Sequence, residues 1–373
     1  MKIKAGLLID LGNSETRMKL LVGGNEKTIE LSNRFVELPA QYTIPKEYQN
    51  NKTSIICVKG SYYAHGALAE REFSDKLIRP SAVEYKTEQL VSELSLTMIF
   101  LNALIYLSEA RGLPISDIEA SFNVSILLPP LEHDVAAKNM KDMVKSIKRV
   151  QALLPFEVDK EIEIENVNVY PEGVTAFFGV YYAEHEGALV EVEENQEYST
   201  GYVLVLDIGA GTTDVVLIRD TELVLNSKDS FNKGGNTVES NLRTEIRRKF
   251  KFAPQSVTPI VSTGLLEEGT VVHKVEDLVT LSKEAYSKIL IPDLMGYLER
   301  MTISLKEVKG VLVVGGGSLP TIRENQVVSP AMSEVLIKYL QNLAPNLKVM
   351  STSNINPRLL NIEGLKFIHK YAQ

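Results

Sequence analysis

Apolar residues recur at two spacings along the chain. From Thr87 to Arg111 they fall at Leu90, Leu94, Met98, Leu101 and Leu104, three or four apart, which predicts one face of a long core helix. Phe122 to Leu128 reads as a strand ended by Pro129 and Pro130, and Leu131 to Ile147 as the helix after it. Residues 162–169 (IEIENVNV) alternate as a strand does, and a helix is expected from about Gly173. Valine and isoleucine crowd both sides of a short polar break in VLVLDIGAGTTDVVLI, Val203 to Ile218, so a hairpin of two strands is predicted there. The same order occurs in LLIDLGNSETRMKL, residues 7–20. A third strand, Val311 to Val314, runs into Gly315–Gly317 and Ser318, with a helix expected beyond. Prolines and β-branched runs in residues 31–90 suggest an inserted small β subdomain. Residues 220–300 are expected to form the smaller subdomain of the second half. Glu184 to Tyr198 reads as a solvated acidic excursion.

Length and composition narrow the class. The 373 residues, 44% hydrophobic and 24% charged, suffice for a large core and two lobes. No run of 18 uninterrupted apolar residues suggests a membrane span. The N-terminus resembles a signal peptide only as far as Asp10, too early for an apolar core, and reads as a first strand. Cys57 is alone, so no internal disulfide or cysteine-based zinc site is expected, and a cytoplasmic setting is favoured. A net charge of −8 argues against a large nucleic-acid footprint; the densest basic run, Glu245 to Lys251, reads as a solvated helix face.

The two polar breaks carry the candidate chemistry. Glycines in a turn let a ligand approach main-chain N–H groups, and successive amides form a concavity for anions. Gly12, Asn13 and Ser14 in the first hairpin, and Gly209, Gly211, Thr212 and Thr213 in the second, are therefore candidate phosphate contacts. Asp10 and Asp207 would repel phosphate unless a hard cation lay between. Mg²⁺ suits that place, because it keeps several waters and needs only one or two carboxylates. A plain glycine hairpin explains either motif alone. Their recurrence 197 residues apart, about half the chain, points instead to an internal duplication. Gly315, Gly316 and Gly317 let backbone approach a flat or anionic ligand, but lack the P-loop and dinucleotide spacings. Asp214 either orients Thr212 or Thr213 or caps the turn.

In this order the motifs resemble the actin, sugar-kinase and heat-shock-chaperone ATPase superfamily. LIDLGNSETR and LDIGAGTTD are similar to its two phosphate motifs, VYPEGVTAFFG to its connecting segment, KGGNTVESNL to the glycine pair opening the next helix, and VVGGGSLP to its adenosine motif. ALIYLSEARGLPISDIEASFNVSILLPPLEHDV, YPEG and NPRLLNIEGLKFI look most like the plasmid-segregation actins of the ParM type. Departures are Leu11, where some relatives carry a second Asp, Ala210 where others have Gly, and Arg17 where a Lys is common; the last weakens any lysine-style phosphate contact.

The resemblance implies an α/β fold of two actin-like, ribonuclease-H-like lobes around a nucleotide cleft, each with a smaller subdomain. The expected spans are 1–170, with 31–90 inserted, and 171–373, with about 220–300 as the smaller part. ATP, or GTP in its place, would bind with Mg²⁺ held mostly through water by Asp10 and Asp207. Adenosine would lie under Gly315–Gly317, and Gly234 and Gly235 would offer amides to phosphate. Glu172 would orient the attacking water, since Pro171 fixes the backbone before it; a helix-start Glu favoured by the macrodipole is the plainer reading. The implied function is nucleotide-dependent polymerisation into filaments that segregate plasmid DNA through an adaptor protein bound to a centromere site. No direct nucleic-acid contact and no membrane are expected. A metabolite kinase needs a further Asp general base, which the first half does not show. A chaperone needs a substrate domain beyond residue 373. A cell-shape or division actin wants an exposed amphipathic element, and Gly364 interrupts the one candidate, Pro357 to Gln373.

Overall fold

Strand β1 (Ile3–Leu11) buries Leu7, Leu8 and Ile9 completely, and the first unit is assembled around it. The computed structural model describes residues 2–49, 52–81, 84–254, 256–352 and 355–371; residues 372–373 of the expected second lobe lie outside them. The chain divides into two units, one ending at Pro171 and the other Glu172–Tyr371.

In the first unit β1 pairs antiparallel with β2 (Glu15–Val22), which pairs with β3 (Asn25–Ser32). A second sheet follows: β4 (Phe35–Glu37), β5 (Thr53–Val58) and β6 (Ser61–Gly66), the last running into helix α1 (Ala67–Glu72). Helix α2 (Leu90–Arg111) ends at Gly112, whose φ of 63° gives the left-handed cap that returns its N–H to the Ser108 and Glu109 carbonyls. Four of the five predicted stripe residues, Leu94, Met98, Leu101 and Leu104, are core; Leu90 opens the helix and is exposed. By length and composition α2 is apolar enough to cross a membrane, but most of that stretch is buried in the unit. Strand β7 (Ala120–Leu128) and helix α3 (Pro130–Ser146) come next, then β8 (Arg149–Leu154), β9 (Val158–Glu161) and β10 (Glu163–Pro171). The main sheet has the order β10-β7-β1-β2-β3, with β1, β7 and β10 parallel. The second has the order β4-β6-β5-β8-β9, so residues 149–161 complete a sheet that local pattern places within 31–90.

In the second unit, helix α4 (Val174–Tyr181) leads to a hairpin of β11 (Tyr182–His185) and β12 (Ala188–Glu191), which occupies the predicted acidic excursion. Strands β13 (Tyr202–Ile208), β14 (Thr213–Arg219), β15 (Glu222–Leu223) and β16 (Asp229–Phe231) precede helices α5 (Gly235–Phe250) and α6 (Thr258–Thr263). After the hairpin β17 (Leu265–Glu268) and β18 (Val271–Lys274) comes the long helix α7 (Glu276–Arg300), then β19 (Val308–Val314). A helix was expected beyond Ser318. The chain makes only a single 3-10 turn at Gly316–Ser318, because Pro320 and β-branched Thr321 and Ile322 lead into the hairpin β20 (Thr321–Arg323) and β21 (Gln326–Ser329). Helix α8 (Met332–Gln341), β22 (Lys348–Val349) and helix α9 (Leu360–Tyr371) complete the unit.

Its sheet runs β15-β14-β13-β19-β22, and both faces are covered. Leu204, Leu206, Val215, Leu217 and Val313 pack on α7 and α8. The alternate residues Val203, Val205, Val216, Leu312 and Val314 pack with Phe177 of α4 and Leu360 of α9. Burial on both faces explains why these strands read as unbroken apolar runs. The region of α5, α6, β17 and the start of α7 has its own core, centred on Leu242, Ile246, Val257 and Val279.

The two main sheets repeat one plan. In each, a strand carries Asp as its last residue but one, turns through glycine into an antiparallel partner, and has a parallel strand on its other side. Asp10 faces Arg17 across the first hairpin and Leu127 on the parallel side. Asp207 faces Asp214 and Val314 in the same places.

Candidate functional site

In the first unit Asp10 is 6% exposed at the end of β1. The Arg17 guanidinium lies 3.3 Å from its carboxylate and also reaches Glu15 at 3.3 Å and Glu30 at 3.2 Å. Burial alone would lower the Arg17 pKa; Asp10, Glu30 and Glu15 outweigh it and hold the pKa up. Arg17 is thus tied to three carboxylates, a set that the several fixed N–H donors of a guanidinium suit better than a single ammonium.

The turn at Gly12, Asn13 and Ser14 is held from behind by Asn33, a buried residue between β3 and β4. Its Nδ2 donates to the Gly12 carbonyl, its backbone N–H donates to Ser14 O at 3.0 Å, and its Oδ1 accepts from Thr16 Oγ1 at 2.8 Å and Ser95 Oγ at 2.9 Å. A Cβ on Gly12 would sit 2.5 Å from the Glu15 carbonyl oxygen, so the turn admits only glycine without shifting.

In the second unit Asp207 is 7% exposed. The Gly209–Thr212 turn is closed by Gly209 N–H donating to Thr212 O at 2.9 Å. Asn361 on α9 donates from Nδ2 to the Asp207 carboxylate, while its Oδ1 accepts from Gly173 N–H at 2.9 Å and Thr175 Oγ1 at 3.0 Å. One carboxamide therefore joins Asp207 to the backbone immediately after Glu172, where Gly173 takes a φ of 77°. Glu172 itself is buried.

Two glycine elements close on the same hairpin. Gly315, at φ 87°, lies so near that a Cβ would be 2.3 Å from an Asp207 carboxylate oxygen and 2.5 Å from Ile208 O. A Cβ on Gly317 would lie 2.5 Å from the Ile208 side chain, and Gly316 is exposed beside them. A Cβ on Gly234 would meet Gly209 O at 2.7 Å and Thr212 N at 2.8 Å.

Two residues depart from the expected ligand set. The Thr213 hydroxyl is fully buried and bonds the Lys233 carbonyl at 2.7 Å and the Tyr286 hydroxyl, so it braces the hairpin instead of facing phosphate. The Gly235 N–H donates to Gly209 O at 2.9 Å, and Asn236 N–H to Ala210 O at 2.8 Å; these amides dock the head of α5 onto the turn.

No family model and no curated protein matches this chain by sequence. Solved structures do match over nearly its whole length. Ta0583, an archaeal actin homolog, superposes with a TM-score of 0.69 at 16% identity, covering 99% of each chain, and its ADP complex with 0.67. ParM of Bacillus thuringiensis, solved with ATP, gives 0.64 at 17% identity over 98% of this chain and 97% of its own. ParM from a 15-stranded filament of Clostridium botulinum gives 0.60 at 16% identity over 100% of both chains. The chain has the actin fold.

Within this actin fold the donor chemistry suits a magnesium–phosphate ligand. Among the described residues no group of three or more His, Cys, Asp or Glu side chains forms a metal cage. A hard cation would then rely on a carboxylate such as Asp10 or Asp207, on water and on phosphate oxygens. The lack of a Cβ at Gly12, Gly234 and Gly315 lets the protein's own backbone and the Asp207 carboxylate close up at each turn. Sequence reading missed Asn33 and Asn361 as hairpin braces. Asn361 had a signal, since it is the Asn of NIEG.

Proposed function

We propose that this chain binds ATP with Mg²⁺, hydrolyses it, and assembles head to tail into nucleotide-dependent filaments, with GTP as the alternative nucleotide. The observation that carries the reading is the repeated hairpin: Asp10 and Asp207 occupy the same register of the same strand plan, each buried before a glycine turn. The likeness to an actin homolog solved with ADP and to ParM solved with ATP and in a filament supports the choice of ligand and of assembly.

In this proposal Gly12, Asn13, Ser14, Gly209, Gly211 and Thr212 contact phosphates, and Gly315–Gly317 back the adenosine. Asp10 and Asp207 act on the cation through water. Mg²⁺, when bound, neutralises charge on the phosphate oxygens. Glu172 orients the attacking water, and its turn is held against Asp207 by Asn361. Phosphoryl transfer needs little from the protein beyond such positioning and charge stabilisation. A head-to-tail contact is heterologous and does not close, so it yields a filament. Plasmid DNA would be moved through an adaptor protein, in keeping with the net charge of −8.

The test is light scattering, negative-stain microscopy and phosphate release on the purified protein with ATP, GTP and no nucleotide. Polymer that forms with a nucleoside triphosphate and decays with phosphate release is the expected result. Glu172→Ala is expected to keep nucleotide binding, slow phosphate release by about 100-fold or more, the usual range for losing a positioned base, and prolong the polymer. Unchanged release removes Glu172 from the role. Absence of polymer in every condition, with phosphorylation of a small metabolite, overturns the reading.

A further inference from the structure

Lys283, in the second turn of α7, is 1% exposed. Its Nζ donates to Pro330 O at 2.7 Å, Leu319 O at 3.1 Å and Thr321 Oγ1 at 3.4 Å. An ammonium has three N–H donors, and here each has an oxygen. None of the three acceptors carries a charge. Burying a lysine on neutral acceptors is costly, and a methionine would fill the space without that cost. The three oxygens bracket one element: Leu319 follows the Gly315–Ser318 turn, Thr321 opens β20, and Pro330 follows β21. Three residues along the helix, and so on the same face, Tyr286 bonds the Thr213 hydroxyl and lies 3.5 Å from Lys233 O. Helix α7 thus holds the third glycine turn by one side chain and the Asp207 hairpin by the next.

We propose that Lys283 is a positioning residue for the nucleotide, its ammonium fixing the exit of the Gly315–Ser318 turn on α7 in register with the Asp207 hairpin that Tyr286 fixes. The inference rests on the nucleotide-binding reading above.

The chemistry supplies a signature. Burial lowers the Lys283 pKa to about 8, against an opposing pull from Glu334 at the head of α8. The other charges around this stretch are Glu276 and Arg323, which pair with each other at 3.2 Å, and Glu284 and Lys338 along the groove between α7 and α8. A neutral amine has two N–H groups, so one of the three oxygens loses its donor. The Thr321 hydroxyl cannot reverse its bond, because its hydrogen goes to Val261 O at 2.8 Å. The clamp therefore loosens as pH rises through about 8. Global stability responds with the opposite sign. A lysine with a folded pKa below its unfolded value binds fewer protons when folded, so its contribution to stability rises with pH between the two.

The experiment uses the full chain and Lys283→Met. Affinities for Mg-ADP and Mg-ATP are measured by calorimetry from pH 7 to pH 9.5, with hydrogen-exchange protection of residues 319–330. Both affinities are expected to fall about tenfold in the variant at pH 7, the scale of one lost hydrogen bond to a charged group. Protection of 319–330 falls while that of β13 holds. Wild-type affinity declines towards that of the variant as pH rises, and the variant is flat. A folded variant with unchanged affinities and protection overturns the proposal. If the variant does not fold, a flat wild-type pH profile overturns it alone. If the wild type binds no nucleotide, the functional reading fails, and unaltered protection in the variant still overturns the clamp.

Discussion

The Asn361 carboxamide accepts from Gly173 N–H and Thr175 Oγ1 and donates to Asp207, all away from bulk water. Asn361→Ala removes these three bonds and leaves a buried carboxylate short of a donor. We expect a loss of about 3 kcal/mol in urea unfolding, the order set by two ordinary bonds and one to a charged group. Asn361→Asp keeps the acceptor but turns a second carboxylate towards Asp207. Like charges so close raise the pKa of the pair above the unfolded carboxylate value. The folded protein then binds the extra proton, so this variant is expected to be nearer wild type at pH 5 and to lose stability as pH rises to 7.5. Equal stability of the Asp variant at both pH values would show that the two side chains do not face each other. Asp10 and Asp207 were legible from the sequence because a bare carboxylate at the end of an apolar strand is conspicuous. Asn33 and Asn361 were much less so. Asn33 reaches Ser95 across 62 positions and Asn361 reaches Asp207 across 154, and no local spacing records such a reach.

Helices α4 and α9 cross with almost no room, which fixes where Asn361 stands. A Cβ on Gly364 would lie 1.7 Å from the Thr175 carbonyl oxygen, and one on Gly179 would lie 2.5 Å from Leu360 O. Gly364 is three residues after Asn361, so the same face that brings the backbones together aims the carboxamide at the hairpin. Gly364→Ala must push α9 outward. Overpacking of this kind costs about 1–3 kcal/mol, and the cost is expected in the unfolding midpoint of this variant. A parallel drop in phosphate release would show that the displacement is felt at Asp207; wild-type turnover at normal stability would refute the link. The glycine that interrupts the amphipathic pattern of the last helix is thus a packing contact inside the second unit. Local pattern gave helices α2 and α3 and the strands at 122–128 and 203–218, since periodicity and β-branching act within a few residues, but not the long helix α7 (Glu276–Arg300). It failed where partners are remote: β8 and β9 join a sheet begun a hundred residues earlier, and the helix expected after Ser318 gave way to the β20–β21 hairpin.

The whole chain repeats one strand plan with separate cores. The first unit centres on residues such as Leu7, Phe100 and Phe122, and the second on Leu204, Tyr286 and Phe177. Because each core is self-contained, thermal unfolding need not be a single step. The duplication was visible in the sequence as two Asp–glycine hairpins, but the matching parallel neighbours, β7 and β19, were not, because their side of the sheet has no shared motif: Leu128 runs into proline where Val314 runs into glycine. The proposal needs a carboxylate from each unit, and ligand binding reports on that directly. A ligand at 100 times its dissociation constant stabilises the form it binds by about 2.7 kcal/mol. For a body of 150–250 residues that is a rise of about 5–11 °C in the melting midpoint. Saturating Mg-ADP is therefore expected to raise the melting of both units in calorimetry, and EDTA to reduce both shifts together. Asp10→Ala and Asp207→Ala should each diminish the shift in both transitions, although each removes a group from one unit only. If Asp10→Ala leaves the ligand shift of the second unit intact, the nucleotide is held by Glu172–Tyr371 alone, and the paired role assigned to the first hairpin fails.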